Sequence, residues 1–377
     1  MKKLKKHHVR IAVSGGVVGI VFFAVIGAAG FSDAFDTTYH WSMTAGDPPP
    51  AAVPVLDKDA YNAKLLFLAH LSAASTTMDA STTTPKGMTL LRPATATTTV
   101  SAVKKSWPVA TVYPEAGALL PFNRIVAYYG NFYSTKMGVL GEYEPEVMLQ
   151  KLKSASAEWE AADPETPVIP AIHYIVETAQ AAKSKSGKYI ARMPDSEIDK
   201  ALAFAKQADG LVFLDFQVGT SNVERELPMY ESYLALPNVH VGIDPEFSMK
   251  TGVAPGRVIG TMDAADINNA AQYLATLVRE HHLPPKILVV HRFTEEMVTN
   301  YQRIKPLPEV QIVMDMDGWG FPAKKINTYN SVVYSEPVQF TGFKLFYKND
   351  VKAPSTRMLT PTEVVNLTPA PSYIQYQ

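Results

Sequence analysis

Eight short apolar runs, set apart by stretches of helical periodicity, constrain this chain more than any other feature. They are "RIVAYYG" (124–130), "PVIPAIHY" (167–174), "GLVFLDF" (210–216), "NVHVGID" (238–244), "KILVVH" (286–291), "VQIVMD" (310–315), "FTGFKLF" (340–346) and "SYIQYQ" (372–377). Runs this short and this apolar read as strands buried on both faces. Between them lie helical patterns. "EPEVMLQKLKSASAEWEAA" carries Pro145 near its first turn, and "DSEIDKALAFAKQA" opens on an imperfect capping box at Asp195. "DAADINNAAQYLATLVREHH" places Ile267, Ala271, Leu274, Leu277 and Val278 on one face, and "TEEMVTNYQRI" and "TPTEVVNL" are shorter. Strands alternating with helices imply a parallel sheet with right-handed crossovers. Eight of them, the last at residues 372–377, predict an α/β fold of the (β/α)8 TIM type over residues 121–377. An open doubly wound sheet is the alternative, but no G-x-G-x-x-G follows the first strand.

The connections are unequal. Helix-to-strand links are tight, as in "LPN" before Val239 and "LPP" before Lys286. Strand-to-helix links are long after the first strand (131–143), the second (175–194) and the fourth (245–262). In a barrel these longer links gather at one end, where active sites sit.

At that same end the strands turn polar. Side chains alternate in direction along a strand, so Asp244 and Glu246 share a face with His240 and Gly242, and Asp215 and Gln217 with Leu211 and Phe213. The second strand offers His173, the fifth His291, the sixth Asp315 and Asp317, and the seventh Lys344. Each alone reads as a satisfied structural residue or a turn former. Six successive strands ending in ionisable groups predict a shared polar mouth.

Carboxylate pairs hydrolyse glycosidic bonds, one as acid and the other as nucleophile or base. Glu246, on a turn fixed by Pro245 beside Phe247, is the expected acid, because partial desolvation there raises its pKa. Asp215, Asp244 and Asp315 compete to be its partner. His173, Gln217, His291, Asp317 and Lys344 are candidate substrate-binding groups, with Tyr128, Tyr129 and Trp319 as aromatic platforms for sugar rings. His173, His291, Asp215, Asp244 and Asp315 are also ligand types, so a metal-dependent hydrolase is an alternative. With no H-x-H pair on the first strand, neither metal nor other cofactor is expected. There is no G-x-S-x-G for a serine nucleophile and no phosphate loop ending in Gly-Lys-Ser/Thr.

The segments "RIVAYYGN", "LVFLDFQVG", "VHVGIDPEFSM", "ILVVHRFTEEM", "VMDMDGWG" and "GFKLFYK", spread over Arg124 to Gln377, resemble the barrel glycoside-hydrolase-like proteins that bacteria export. The resemblance implies a polysaccharide or other envelope glycan as partner, and it assigns no catalytic pair. The D-x-x-D-x-D-x-E run of chitinase-like barrels is absent. A barrel that binds such a glycan, or a partner, without turning it over is the non-enzymatic alternative.

The amino terminus sets the expected location. The basic tip "MKKLKKHHVR" (1–10) precedes residues 11–31, an uncharged apolar run long enough for a helix to cross a hydrocarbon core of roughly 30 Å. The basic flank keeps the tip cytoplasmic and places the remainder outside as a signal-anchored body. Cleavage near "GAAG" would release that body instead. Residues 32–120, rich in Thr, Ala and Pro, read as a low-complexity stalk with a helix at 57–72 capped by Asp57. The chain has no cysteine, which removes disulfides and thiolate chemistry. Its 35 basic residues balance 36 acids, so no basic surplus favours nucleic acid.

Overall fold

The computed structural model describes residues 55–71, 107–185 and 187–377. Eight parallel strands close into a barrel: β1 (Arg124–Gly130), β2 (Val168–Ala179), β4 (Leu211–Phe216), β5 (Val239–Ile243), β7 (Lys286–Arg292), β9 (Val310–Met316), β10 (Phe340–Leu345) and β11 (Tyr373–Tyr376). Closure runs through β1, where Ile125 sits abreast of Tyr373 on one side and Ile169 on the other. Each strand lies within a residue or two of its apolar run, except that β2 continues to Ala179 and pairs antiparallel with β3 (Ile190–Arg192). A separate small ladder joins β6 (Met262–Asp263) to β8 (Val298–Thr299).

Parity sorts the strand residues into two cores. Outward residues such as Val126, Ile172, Val212, Val241 and Leu288 pack under the helices α2 (Pro145–Ala162), α3 (Asp195–Ala208) and α6 (Ala264–His281). Inward residues Ile125, Ala127, Ala171, Phe213, Ile287, Val289 and Val313 fill the lower barrel. Shorter helices complete the outer layer: α4 (Val223–Glu226), α5 (Glu231–Leu234), α7 (Pro322–Tyr329) and α8 (Pro361–Val365).

Two local expectations fail. Asp195 makes no cap: α3 starts from Pro194 without a side-chain cap bond. The expected helix in "TEEMVTNYQRI" is absent, and the crossover after β7 is built from single 3-10 turns at Glu295–Met297 and Tyr301–Arg303 around β8. Arg292 sits at the centre of this crossover. Its buried guanidinium donates to the carbonyls of Thr294, Glu295, Val298 and Val332, supplying partners that a helix would otherwise provide.

The helix expected near 57–72 forms as α1 (Lys58–Leu68), with Asp57 accepting from the backbone of Asp59 and Ala60. It does not stand apart from the barrel. Tyr61 and Leu65, with Leu119, Leu120 and Phe122, seal the end of the barrel where the strands begin. Gln311 on β9 pins this plug, accepting from the backbone N–H groups of Leu119 and Leu120 and donating to the Leu120 carbonyl. The barrel body therefore recruits chain from before residue 121. The remainder of the expected stalk, and the apolar run 11–31, lie outside the described residues. Among the described residues no helix is long and apolar enough to cross a membrane.

Candidate active site at the carboxyl-terminal mouth

Above the apolar floor, every barrel strand ends its inward row in polar groups. β1 gives Tyr129, β2 His173, β4 Asp215 with Gln217 just beyond it, β7 His291, β9 Asp315 followed by Asp317, β10 Lys344 and β11 Gln375. Asp244 and Glu246 follow β5, with Asp244 Oδ1 accepting from the Glu246 backbone N–H at 3.0 Å across the Pro245 turn.

Two glycines make this crowding feasible. In register, Asp215 lies abreast of Gly242 and Asp315 abreast of Gly342. A Cβ at Gly242 would stand 2.4 Å from Asp215 Oδ1 and 2.4 Å from His173 Nε2, and one at Gly342 would stand 2.6 Å from Asp315 Oδ1. Neighbouring strands are only about 4.8 Å apart, so an inward Asp takes the room that a neighbour's side chain would fill.

The lower tier, His173, Asp215, His291, Asp315 and Gln375, has no exposed surface. Asp215 Oδ1 lies 3.2 Å from both His173 Nε2 and His291 Nε2, and Oδ2 accepts from the Tyr129 hydroxyl at 3.0 Å. His173 Nδ1 meets the Tyr373 hydroxyl, which also accepts from Gln375 at 2.9 Å. Burial would raise the pKa of Asp215, but the charge of His291 and the hydrogen bonds of both rings hold it well below the carboxylate range. Burial lowers His173 to about 4, leaving it neutral at pH 7. Burial also opposes charge on His291, but Asp215, with Asp315 and Asp317 behind, reverses this and keeps the ring an imidazolium. Its Nδ1 lies 3.2 Å from Asp315 Oδ2 and 3.3 Å from Asp317 Oδ2. The Asp315 contact is ionic rather than a directed hydrogen bond, because both Asp315 oxygens lack an aligned donor.

The upper tier faces the opening. Lys344 Nζ bridges to Asp317 Oδ1 at 3.0 Å and stands 3.9 Å over the Tyr129 ring. Burial would raise Asp317, but the charges of Lys344 and His291 pull it below the ordinary carboxylate value. Glu246, half-buried, goes the other way: burial, then the charges of Asp244 and Asp317, raise it to about 8. Burial likewise lifts Asp244 to about 7.

Of the twelve residues singled out in the sequence, ten converge on this mouth. Asp215 and Asp315 join it as buried members with no surface for a substrate to touch. Tyr128 is misplaced by the expectation. It points outward, its hydroxyl 3.0 Å from that of Tyr347, and lines a cavity of about 450 Å³ beside α2 with Lys151, Glu158 and Tyr376. One residue along a strand reverses the side chain, and Tyr129 is the inward member of the pair. Trp319 lies half-buried two residues beyond Asp317, with Lys324 and Lys352 over its ring at 4.9 and 5.9 Å, and no contact ties it to the polar ring. Tyr373, Gln375 and the two glycines escaped the sequence reading. Tyr373 and Gln375 carried a usable signal in "SYIQYQ", where they alternate with apolar neighbours.

Metal-ligand types also converge. His173, Asp215 and His291, three of the five ligand types named in the sequence, each offer a ligand atom, all within 4.8 Å of one another.

Fold and site together define a closed eight-stranded α/β barrel with a ring of acids, histidines and one lysine at its carboxyl-terminal mouth. No protein-family model matches the chain, and no curated protein matches it. Among solved structures it is similar to the cellulose synthase subunit Z (CcsZ) of Clostridioides difficile, with 10% identity over 68% of this chain and 92% of that one and a TM-score of 0.36. A trimodular GH5_4 endoglucanase aligns at 10% identity over 69% of this chain and 56% of its own, TM-score 0.37. A GH5 endo-beta-1,4-glucanase from Bacillus licheniformis, solved with cellotetraose, aligns at 9% over 68% and 54%, TM-score 0.35. This chain thus spans little more than half of either endoglucanase chain.

Proposed function

We propose that the protein is a glycoside hydrolase acting on a polysaccharide, with Glu246 as proton donor and Asp317 as its ionised partner. What supports this is one contrast at the opening. Two carboxyls share a mouth, yet Glu246 is driven to about 8 by burial while Lys344 and His291 hold Asp317 below the carboxylate range. At neutral pH one is therefore an acid and the other a carboxylate, the division of roles that glycosidic cleavage needs. Asp244, lifted to about 7, is the alternative partner and shares the Pro245 turn with the acid. Asp215 and Asp315, fully enclosed, act as positioning residues by fixing the rings of His173 and His291. Tyr129, its ring under Lys344, and Gln217 complete the walls that would meet sugar hydroxyls.

The anchor belongs to the same proposal: residues 11–31 span a membrane, the basic tip stays inside, and the barrel works on an envelope glycan outside. The basic flank and the uncharged run support it.

The test is turnover on a panel of bacterial and plant polysaccharides by the unmodified chain and by Glu246→Gln. The expected result is hydrolysis of at least one glycan, reduced on the order of 100-fold or more in Glu246→Gln while binding persists. Binding without turnover by the unmodified chain would replace the enzyme with a glycan-binding barrel.

A further inference from the structure

The buried trio of His173, Asp215 and His291 has the construction of a metal centre. We propose that it binds one zinc-type divalent ion through His173 Nε2, Asp215 Oδ1 and His291 Nε2, the ion displacing the Nε2 proton of His291 to solvent, beneath the mouth and separate from the carboxyls assigned to the reaction.

Spacing is the first ground. Asp215 Oδ1 is 3.2 Å from each imidazole nitrogen. Ligands about 2.0–2.1 Å from a tetrahedral zinc lie about 3.3 Å apart along each edge. The second ground is how each ligand is held from behind. His291 turns its Nδ1 to Asp315 and Asp317, His173 turns its Nδ1 to the Tyr373 hydroxyl, and Asp215 gives Oδ2 to the Tyr129 hydroxyl. A carboxylate behind the histidine, as at His291, is a usual means of fixing which ring nitrogen faces a metal. Third, Gly242 lets the trio draw together, since a Cβ there would stand 2.4 Å from two of the three ligand atoms.

Charge supplies a fourth ground. Asp315 is wholly buried with neither oxygen receiving an aligned donor, and it sits directly behind His291. A buried carboxylate without a directed donor is costly, and a dication on the far side of that ring would polarise the Nδ1–H toward Asp315. Two imidazoles with one carboxylate suit zinc, cobalt or iron rather than magnesium or calcium, which take oxygen ligands.

The competing account is a trio held by hydrogen bonds alone, with both rings donating to Asp215. Elemental analysis of the full-length chain, purified without chelator from zinc-supplemented medium, separates the two. The expected result is about one zinc per chain after gel filtration. Dipicolinate should lower the melting midpoint by about 3 °C or more, and added zinc should restore it. Cobalt titrated into the stripped chain should give visible absorption of tetrahedral intensity. His173→Gln should lose metal, while Glu246→Gln should keep it, so this proposal and the glycosidase reading fail separately. If His173→Gln does not fold, the cobalt spectrum of the unmutated chain decides. Less than about a tenth of an equivalent of metal, no visible bands and a melting midpoint indifferent to zinc and chelator would overturn the proposal. Full retention of metal by folded His173→Gln would overturn it too.

Discussion

Glu246 is a carboxylic acid at neutral pH because its turn lies half-buried against Asp244 and Asp317, and this has two measurable consequences. If Glu246 is the proton donor proposed above, activity needs its proton, so kcat/KM should fall as pH rises through about 8. The acid limb belongs to Asp317, whose depressed pKa keeps it ionised well into the acid range. Stability follows the same sign. The folded state holds this proton up to about 8 against an ordinary value of 4.5, so it binds more protons than the unfolded chain between those values. Stability contributed by this group is therefore complete below about 4.5 and declines as pH rises to about 8. Glu246→Gln removes that penalty: its melting midpoint should exceed the unmodified chain's at pH 9, with the difference shrinking toward pH 5. An equal difference at both pH values would mean that the Glu246 proton is not held by the fold.

At the scale of elements, the strands were legible because each is covered by helices outside and by the barrel core inside, so each reads as an unbroken apolar run. What sits abreast of what was not legible. Gly242 looks like an ordinary strand glycine until register sets it beside Asp215. Gly242→Ala should cost about 2–3 kcal/mol in urea unfolding, since the new carbon collides with two buried polar atoms that cannot retreat. Gly318→Ala, whose nearest contact would be 3.3 Å from a threonine methyl, should cost less than half as much. Equal costs would contradict the packing around Asp215. The β7 crossover shows the opposite failure of local reasoning. "TEEMVTNYQRI" carries a helical pattern, but the Arg292 guanidinium takes the carbonyls of Thr294, Glu295 and Val298 there, and also that of Val332 in the helical turn forty residues on.

For the molecule as a whole, the barrel depends on a plug contributed from outside its own strands. Tyr61 is 3% exposed, stacks edge-on with Tyr113 and Phe122, and packs under the first inward layer. Tyr61→Ala should destabilise the barrel by about 3 kcal/mol. A chain begun at residue 121, the boundary that composition suggests, should melt lower and aggregate, because it leaves the barrel floor open. Unchanged unfolding midpoints in both would show the plug to be an ornament of the fold. The sequence shows the short helix itself, while only the tertiary structure shows that its apolar partners lie in the barrel.

By itself the sequence determined the eight strands, most of the helices between them and the polar character of their carboxyl ends, since these follow from local periodicity and side-chain parity. Tertiary structure alone decided which polar groups are enclosed, which reach the opening, and, Glu246 apart, what protonation each adopts. Those properties arise between strands, where a few ångströms of separation and the loss of water set the electrostatics. Asp215 and Asp317 are the same amino acid at strand ends. Only closure of the barrel buries one between two histidines and leaves the other beside a lysine at the mouth.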